Sequence, residues 1–285
     1  MKITIFGGGW LGLPLATRLS SNEFRGKNEG TSVEVRVTSR SEERLNRLKK
    51  DGINALAFTL GQSLADHPSK AVLLDNDLVI INIPPGRKNL ANNPQASAEF
   101  VRNMCELIHS TSIEHKAKIV FISTSAVYGN VQGEITELSP LNPATESAHA
   151  HQAIEEYICH NIPQTACILR LAGLVGVDRH PGKFLAGKQG LAAGSQKINL
   201  VHQRDVINAI EKIILNDAWG ETLLLSSTEH PTRKVYYCWA AKQLNLIPPT
   251  FSAEEQEQPG KHLNPEYTLR KLSLSLAYPS PYDML

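Results

Sequence analysis

MKITIFGGGWLGLPLA, residues 1–16, sets an apolar strand, a glycine turn and an apolar helix end to end. Ile3, Ile5 and Phe6 read as a buried strand. Gly7, Gly9 and Gly12 then fall at the spacing G-x-G-x-x-G, and each has its own reason to lack a side chain. Gly7 permits the tight turn, Gly9 lets the backbone approach a pyrophosphate, and Gly12 lets the helix pack closely on the strand. The phosphates then meet free N–H groups at the positive end of the helix, with Trp10 and Leu11 among the cofactor-binding positions. Three glycines in six residues also occur in ordinary loops, so a purely structural turn is the competing reading. The context favours a dinucleotide site, because the motif follows a strand and opens a helix whose Leu11, Leu13, Leu15 and Ala16 are apolar.

Outward from this turn, residues 20–32 are polar and glycine-bearing, a surface connection to a second strand at VEVRVTSR. Val33, Val35 and Val37 alternate with Glu34, Arg36 and Thr38, which predicts a strand near the sheet edge with one wetter face. An acidic residue at the end of this strand would select NAD through the ribose, whereas an arginine accommodates a 2′-phosphate. The chain has Ser39 and Arg40 there and no carboxylate before Glu42, so NADP is expected, with NAD as the other cofactor. The competing reading of Arg40 is a solvated charge at a helix start. An amphipathic helix capped by Ser41 follows, then a short strand NALAF. DLVIINIPPG is a fully buried strand stopped by Pro84, Pro85 and Gly86, which brings Ile83 and Pro84 to the ligand edge of the sheet. A helix over 94–115, a strand KIVFIST, a helix over 147–160, a strand CILRLAGLVG, a helix over 205–216 and a strand TLLLSS complete the alternation. That order predicts right-handed βαβ units in a parallel sheet with helices on both faces.

The 285 residues are 41% hydrophobic and 20% charged, enough for a sizeable core, and the formal net charge is +1. That charge supplies no field for nucleic acid or an anionic membrane surface, and neither partner is expected. No apolar run is long enough to span a bilayer and no secretory leader precedes the first strand. Cys105, Cys159, Cys167 and Cys238 show neither C-x-x-C nor zinc spacing, so reduced, buried thiols in a cytoplasmic protein are expected, with no metal site.

With STSAVYG at 123–129 beside the glycine turn, the chain resembles an extended, atypical short-chain dehydrogenase/reductase of the NAD(P)-dependent nucleotide-sugar epimerase and dehydratase type. LSPLNP at 138–143, LRLAGLVG at 169–176, NLVHQRDVINAI at 199–210 and LNPEYTLRKL near the C-terminus carry the likeness over nearly the whole chain. The resemblance implies a Rossmann-type α/β fold, a doubly wound parallel sheet with a smaller C-terminal substrate lobe. Residues 1–177 with 201–227 would form the NAD(P)-binding domain, and 178–200 with 228–285 the lobe.

In that family a Ser or Thr ahead of VYG hydrogen-bonds a substrate hydroxyl or keto oxygen, a role that falls on Thr124, with Ser123 and Ser125 as neighbours. The competing role for Thr124 is a local backbone bond at the strand end. The family's acid/base pair is Y-x-x-x-K, and here Ser147 stands at the Tyr position and His151 at the Lys position. A serine hydroxyl cannot replace a phenol whose reference pKa is about 10. His151, or nearby His149, is then the expected acid/base group near neutral pH, against a reading as an exposed helix-start pair. Arg179, His180 and Lys183 lie in the loop where the family builds its substrate pocket, suited to an anionic nucleotide sugar, or forming a solvated basic loop. His202 and Asp205 read as a structural hinge, and Tyr236, Tyr237, Trp239 and Leu244 as the core of a C-terminal helix. The two functions in view are an oxidoreductase on a nucleotide sugar or related carbonyl or hydroxyl compound, and a catalytically inactive NAD(P)-binding sensor. The sequence distinguishes neither the substrate nor a monomer from a homodimer.

Overall fold

Strands that are apolar at every position need both faces covered, and the chain supplies a helix after each of its long ones. The computed structural model describes residues 1–21, 23–24, 32–86, 90–91, 93–253 and 258–285, so most of the expected 20–32 connection lies outside the described residues. In chain order the strands are β1 (Lys2–Phe6), β2 (Glu34–Ser39), β3 (Asn54–Ala57), β4 (Leu78–Ile81), β5 (Lys118–Thr124), β6 (Gly133–Ile135), β7 (Ala166–Leu171), β8 (Gly173–Val175), β9 (Leu200–His202), β10 (Thr222–Leu225) and β11 (Lys261–Leu263). Seven of them form one sheet in the order β10-β7-β5-β4-β1-β2-β3, with every pairing parallel. This is the doubly wound α/β architecture, and the strand order reverses between β1 and β4, where such sheets bind ligands beyond their carboxyl ends.

The period of two along each strand divides the interior. Leu78 and Ile80 join Ile3, Ile5, Val35 and Val37 in one cluster, under the helices Gly12–Leu19 and Gln203–Leu215. Val79 and Ile81 join Phe6, Ile119 and Phe121 in the other, under Pro94–Ile108 and Glu146–Asn161. Ile3, Ile5, Phe6 and Ile80 are wholly buried, and each such side chain contributes about 1.5–3 kcal/mol relative to exposure.

β2 lies near the sheet edge as expected, between β1 and the edge strand β3, but it has no wet face, and Arg36 is only 4% exposed. Its guanidinium donates to the carbonyls of Val72 and Asp75 and to Glu34 Oε1, so an apparent polar position is an internally satisfied one. The expected strand 167–176 is two strands, because after Leu171 the chain leaves the main sheet and Gly173–Val175 pairs with β9. Cys167 is buried, whereas Cys159 is exposed, against the expectation of uniformly buried thiols. No helix among the described residues is long and apolar enough to cross a membrane.

Beyond β10 the chain returns over the carboxyl end of the sheet. Val175, Ile198, Leu200, Tyr236, Ala240 and Met284 form a third, smaller apolar cluster, while Leu263, Leu272 and Leu274 join the core beneath the sheet. β11 pairs with β6, and Asp205, fully buried, accepts from the backbone N–H groups of Ala277 (2.6 Å) and Tyr278 (3.1 Å). Asp205 thus fastens the C-terminal segment to the start of its helix.

Candidate functional site

Two of the three motif glycines are demanded by the protein itself. Gly7 has φ +110°, and a Cβ there would lie 2.3 Å from the Asn82 carbonyl oxygen; one at Gly12 would lie 2.1 Å from that of Gly7. A Cβ on Gly9 would meet nothing within 4 Å. Packing therefore explains Gly7 and Gly12 but leaves Gly9 facing open space, which is what a pyrophosphate cradle requires. The turn is held by Thr38, whose Oγ1 and carbonyl accept from the Gly7 and Gly8 N–H groups, and by Asn82, whose amide donates to the Gly7 carbonyl. Leu11, at the N-cap of Gly12–Leu19, gives no side-chain cap and is itself a core residue.

Trp10 is tied to the segments after β8 and β9. Its indole N–H donates to the Val177 carbonyl (2.7 Å), its own carbonyl accepts from Gln203 Nε2 (2.7 Å), and Arg179 lies over its ring at 5.2 Å. The glycine turn and the loop after β8 are thereby one unit. At the end of β2, Ser39 is buried with its hydroxyl accepting from the Ser41 N–H, Ser41 caps the next helix, and Arg40 is exposed.

A cavity of about 680 Å³ opens at the carboxyl ends of β4, β5 and β7, lined on one side by Asn82, Ile83, Pro84, Pro85 and Gly86. Thr124 and Ser125 line it from the end of β5, and Ser147 and His151 from the helix Glu146–Asn161. Four residues apart on one helix, Ser147 and His151 share a face, and both are buried. The His151 ring lies 5.6 Å from that of Phe121, while His149 is exposed. The Thr124 hydroxyl accepts from the Ala126 N–H (3.2 Å), the local bond of a strand end, and its own proton remains to donate into the cavity. Ser123 also lines the cavity, but its hydroxyl donates to Glu155.

Arg179 lines the cavity too. Of the other two basic-loop residues, His180 turns to the backbone, where Nδ1 accepts from the Gly182 N–H and burial pulls its pKa down, and Lys183 is exposed outside the lining. Among the described residues no group of three or more His, Cys, Asp or Glu side chains is placed to hold a metal.

Three features go beyond the sequence reading. Arg170 of β7 makes a buried bidentate pair with Glu155 (2.7 Å at the closest) and donates to the Tyr128 hydroxyl (2.8 Å), so the VYG tyrosine is a structural phenol, and burial pushes its pKa up. Tyr237 packs in the helix core as expected, edge-on to the buried Tyr236, but it also lines the cavity, with its phenol pushed up by burial. Lys261 of β11 reaches the same cavity from the far end of the chain. The pair was hidden because its partners lie 15 residues apart on different elements, and Lys261 because only the β6–β11 pairing brings it to the site.

Residues 3–223 match the NAD-dependent epimerase/dehydratase family. Protein YeeZ of Escherichia coli K12 is 32% identical to the chain, covering 99% of it and 98% of YeeZ. Among solved structures, MoeE5 in complex with UDP-glucose and NAD superposes with a TM-score of 0.74 at 14% identity, over 100% of this chain and 96% of that one. UDP-glucuronic acid 4-epimerase from Bacillus cereus, in complex with UDP-glucuronic acid and NAD, gives 0.74 at 18% identity over the same shares. Those likenesses establish the Rossmann-type fold, and the sequence match establishes the lineage: the chain belongs to the NAD-dependent epimerase/dehydratase family.

Proposed function

We propose that the chain binds a nicotinamide dinucleotide, NADP in preference to NAD, and acts as an oxidoreductase on a nucleotide sugar or related carbonyl or hydroxyl substrate without the family's Tyr/Lys pair. The observation that carries this reading is the single cavity in which the loop beside the glycine turn, Thr124, Ser147 and His151 meet, together with the open space at Gly9. Gly7, Gly9, Trp10, Leu11 and Gly12 would hold the pyrophosphate end, and Ile83 and Pro84 would border the cofactor. Ser39 and Arg40 would meet the 2′-phosphate, a charge-assisted contact an exposed guanidinium can make in two bonds. When bound, the nicotinamide supplies hydride exchange.

The rest belongs to this chain's side chains. Thr124 donates its proton to a substrate oxygen. His151 holds or accepts the proton at its imidazole, a group suited to general acid/base work, which the Ser147 hydroxyl is not. Arg179, held over Trp10, faces the anionic part of a nucleotide sugar, with His180 and Lys183 beyond the cavity lining. The second reading, an NAD(P)-binding sensor, is favoured by one specific observation, the hydroxyl of Ser147 where a phenol would stand. Titration with NADP(H) and NAD(H), followed by cofactor absorbance with a panel of sugar nucleotides, separates the readings. Tighter NADP(H) binding with turnover supports the enzyme, tight binding without turnover on the panel supports the sensor, and failure to bind either cofactor contradicts both.

A further inference from the structure

Lys261 presents a charge to the cavity that no carboxylate among the described residues neutralises. Its ammonium donates to the carbonyl of Ser125 (3.0 Å) and to that of Gly129 (2.7 Å). An ammonium has three N–H donors, so one remains after these two bonds. No carboxylate pairs with it among the described residues, although the side chain is half-buried and its pKa is held below the usual lysine value by desolvation. Two neutral carbonyls satisfy hydrogen bonds but leave the positive charge uncompensated, and in a partly desolvated site an arriving anion gains more from that charge than it would in water.

The lysine is also held in place before any ligand arrives. Asn199, which shares the cavity lining, donates from Nδ2 to the Lys261 carbonyl (3.0 Å) and accepts at Oδ1 from the Leu263 N–H (2.9 Å). Gln132 accepts from the Gly260 N–H (2.7 Å), and β11 is paired with β6. One of the carbonyls that Lys261 holds belongs to Ser125, the residue after Thr124, so Lys261 and Thr124 line the same cavity on adjoining segments, and Arg179 is fixed separately on Trp10.

We infer that Lys261 is a specificity-determining residue that takes a carboxylate on the sugar part of the substrate, selecting an acidic sugar over its neutral counterpart. A carboxylate oxygen suits one remaining N–H and one positive charge, whereas a phosphate dianion would ask for more donors than this wall offers. The inference rests on the cavity being the substrate site, as proposed above.

The test compares acidic and neutral partners in the full chain with cofactor present. The ligand pairs are UDP-glucuronic acid against UDP-glucose, and free glucuronate against glucose, in wild type, Lys261→Met and Lys261→Arg. A charged hydrogen bond predicts that wild type favours the acid of a pair by about tenfold or more. The ratio falls to about one in Lys261→Met and recovers largely in Lys261→Arg; a merely structural staple of the 125–129 turn would not move this ratio. Amine-labelling of wild-type Lys261, read by mass spectrometry, should be slowed by the acidic ligand more than by the neutral one, which needs no folded variant. No acid preference in either pair, or a preference that survives in Lys261→Met, overturns the inference. UDP-glucose binding without acid preference would leave the nucleotide-sugar reading standing, whereas acid preference confined to the free sugars would sink the nucleotide and keep Lys261.

Discussion

The first turns of the helix Glu146–Asn161 line the cavity, and the glycine turn after β1 lies beside it, bonded to Asn82 of the lining; the two regions stand in opposite relation to the pattern of the family they resemble. At the turn every element is present: Gly7 and Gly12 sit where any Cβ would strike backbone within 2.3 Å, and Gly9 sits where a Cβ would strike nothing. At the helix, Ser147 and His151 occupy the positions where the family resemblance expects Tyr and Lys, and the helix that carries them is firmly held. Thr145 caps the helix, and the buried Arg170–Glu155 pair ties it to β7. On the proposed reading, the difference teaches that cofactor binding rests on backbone shape, whereas the chemistry rests on two side chains that can change without disturbing the fold. The scaffold would position a histidine as readily as a lysine.

The largest expected effect breaks the comparison at the turn. Gly9→Val should leave the protein folded, with an unchanged thermal transition, and abolish dinucleotide binding in a titration, because the added side chain fills only ligand space. Gly7→Val should instead destabilise the fold, since a positive φ and a clash with the Asn82 carbonyl together cost on the order of 2–6 kcal/mol. Equal cofactor affinity in a folded Gly9→Val protein would remove the turn from the phosphate site.

At the helix, Arg170→Met should lower unfolding free energy by about 3–5 kcal/mol, because it leaves Glu155 buried without its partner. Denaturant unfolding reads this directly, and a loss below 1 kcal/mol would mean the helix is held by its apolar face alone. A smaller effect is expected at the cofactor's far end. Arg40→Ala should weaken NADP(H) by about tenfold while leaving NAD(H) unchanged, the size of one charged contact; equal weakening of both would make Arg40 a surface charge only. The smallest is a pH effect away from both. Burial, then His262, hold the pKa of His230 below its usual value of 6.5. The unfolded state therefore binds the proton more readily, so the contribution of His230 to stability is full above pH 6.5 and is lost as the pH falls through the lower folded value. His230→Asn should flatten that part of the acid limb of a stability profile.

The fold was readable because its signals are local. Strand, glycine turn and helix follow one another in the first nineteen residues, and the apolar run ending at Ile81 needs two covered faces whatever lies elsewhere. Arg36 misled because its alternation with valines looks like a wet face, while the carbonyls of Val72 and Asp75 that receive it are more than 35 residues away. The glycine turn was legible for the same reason as the fold. Lys261 and Tyr237 were not, since neither carries a local pattern and both reach the cavity only through the return of the C-terminal segment. Thr124 and His151 were found through the family resemblance, and periodicity alone would not have separated Thr124 from Ser123, whose hydroxyl is committed to Glu155.

The central claim is that an intact cofactor site serves a chemical centre in which a histidine has replaced the Tyr/Lys pair. It is tested most directly by following cofactor oxidation or reduction with sugar nucleotides between pH 5.5 and 8 in wild type and His151→Ala. The account predicts wild-type turnover that changes with pH over this range, and a loss of about 10²–10⁴-fold with the pH dependence gone in His151→Ala. Turnover that persists undiminished in His151→Ala, with the same pH profile, would contradict it.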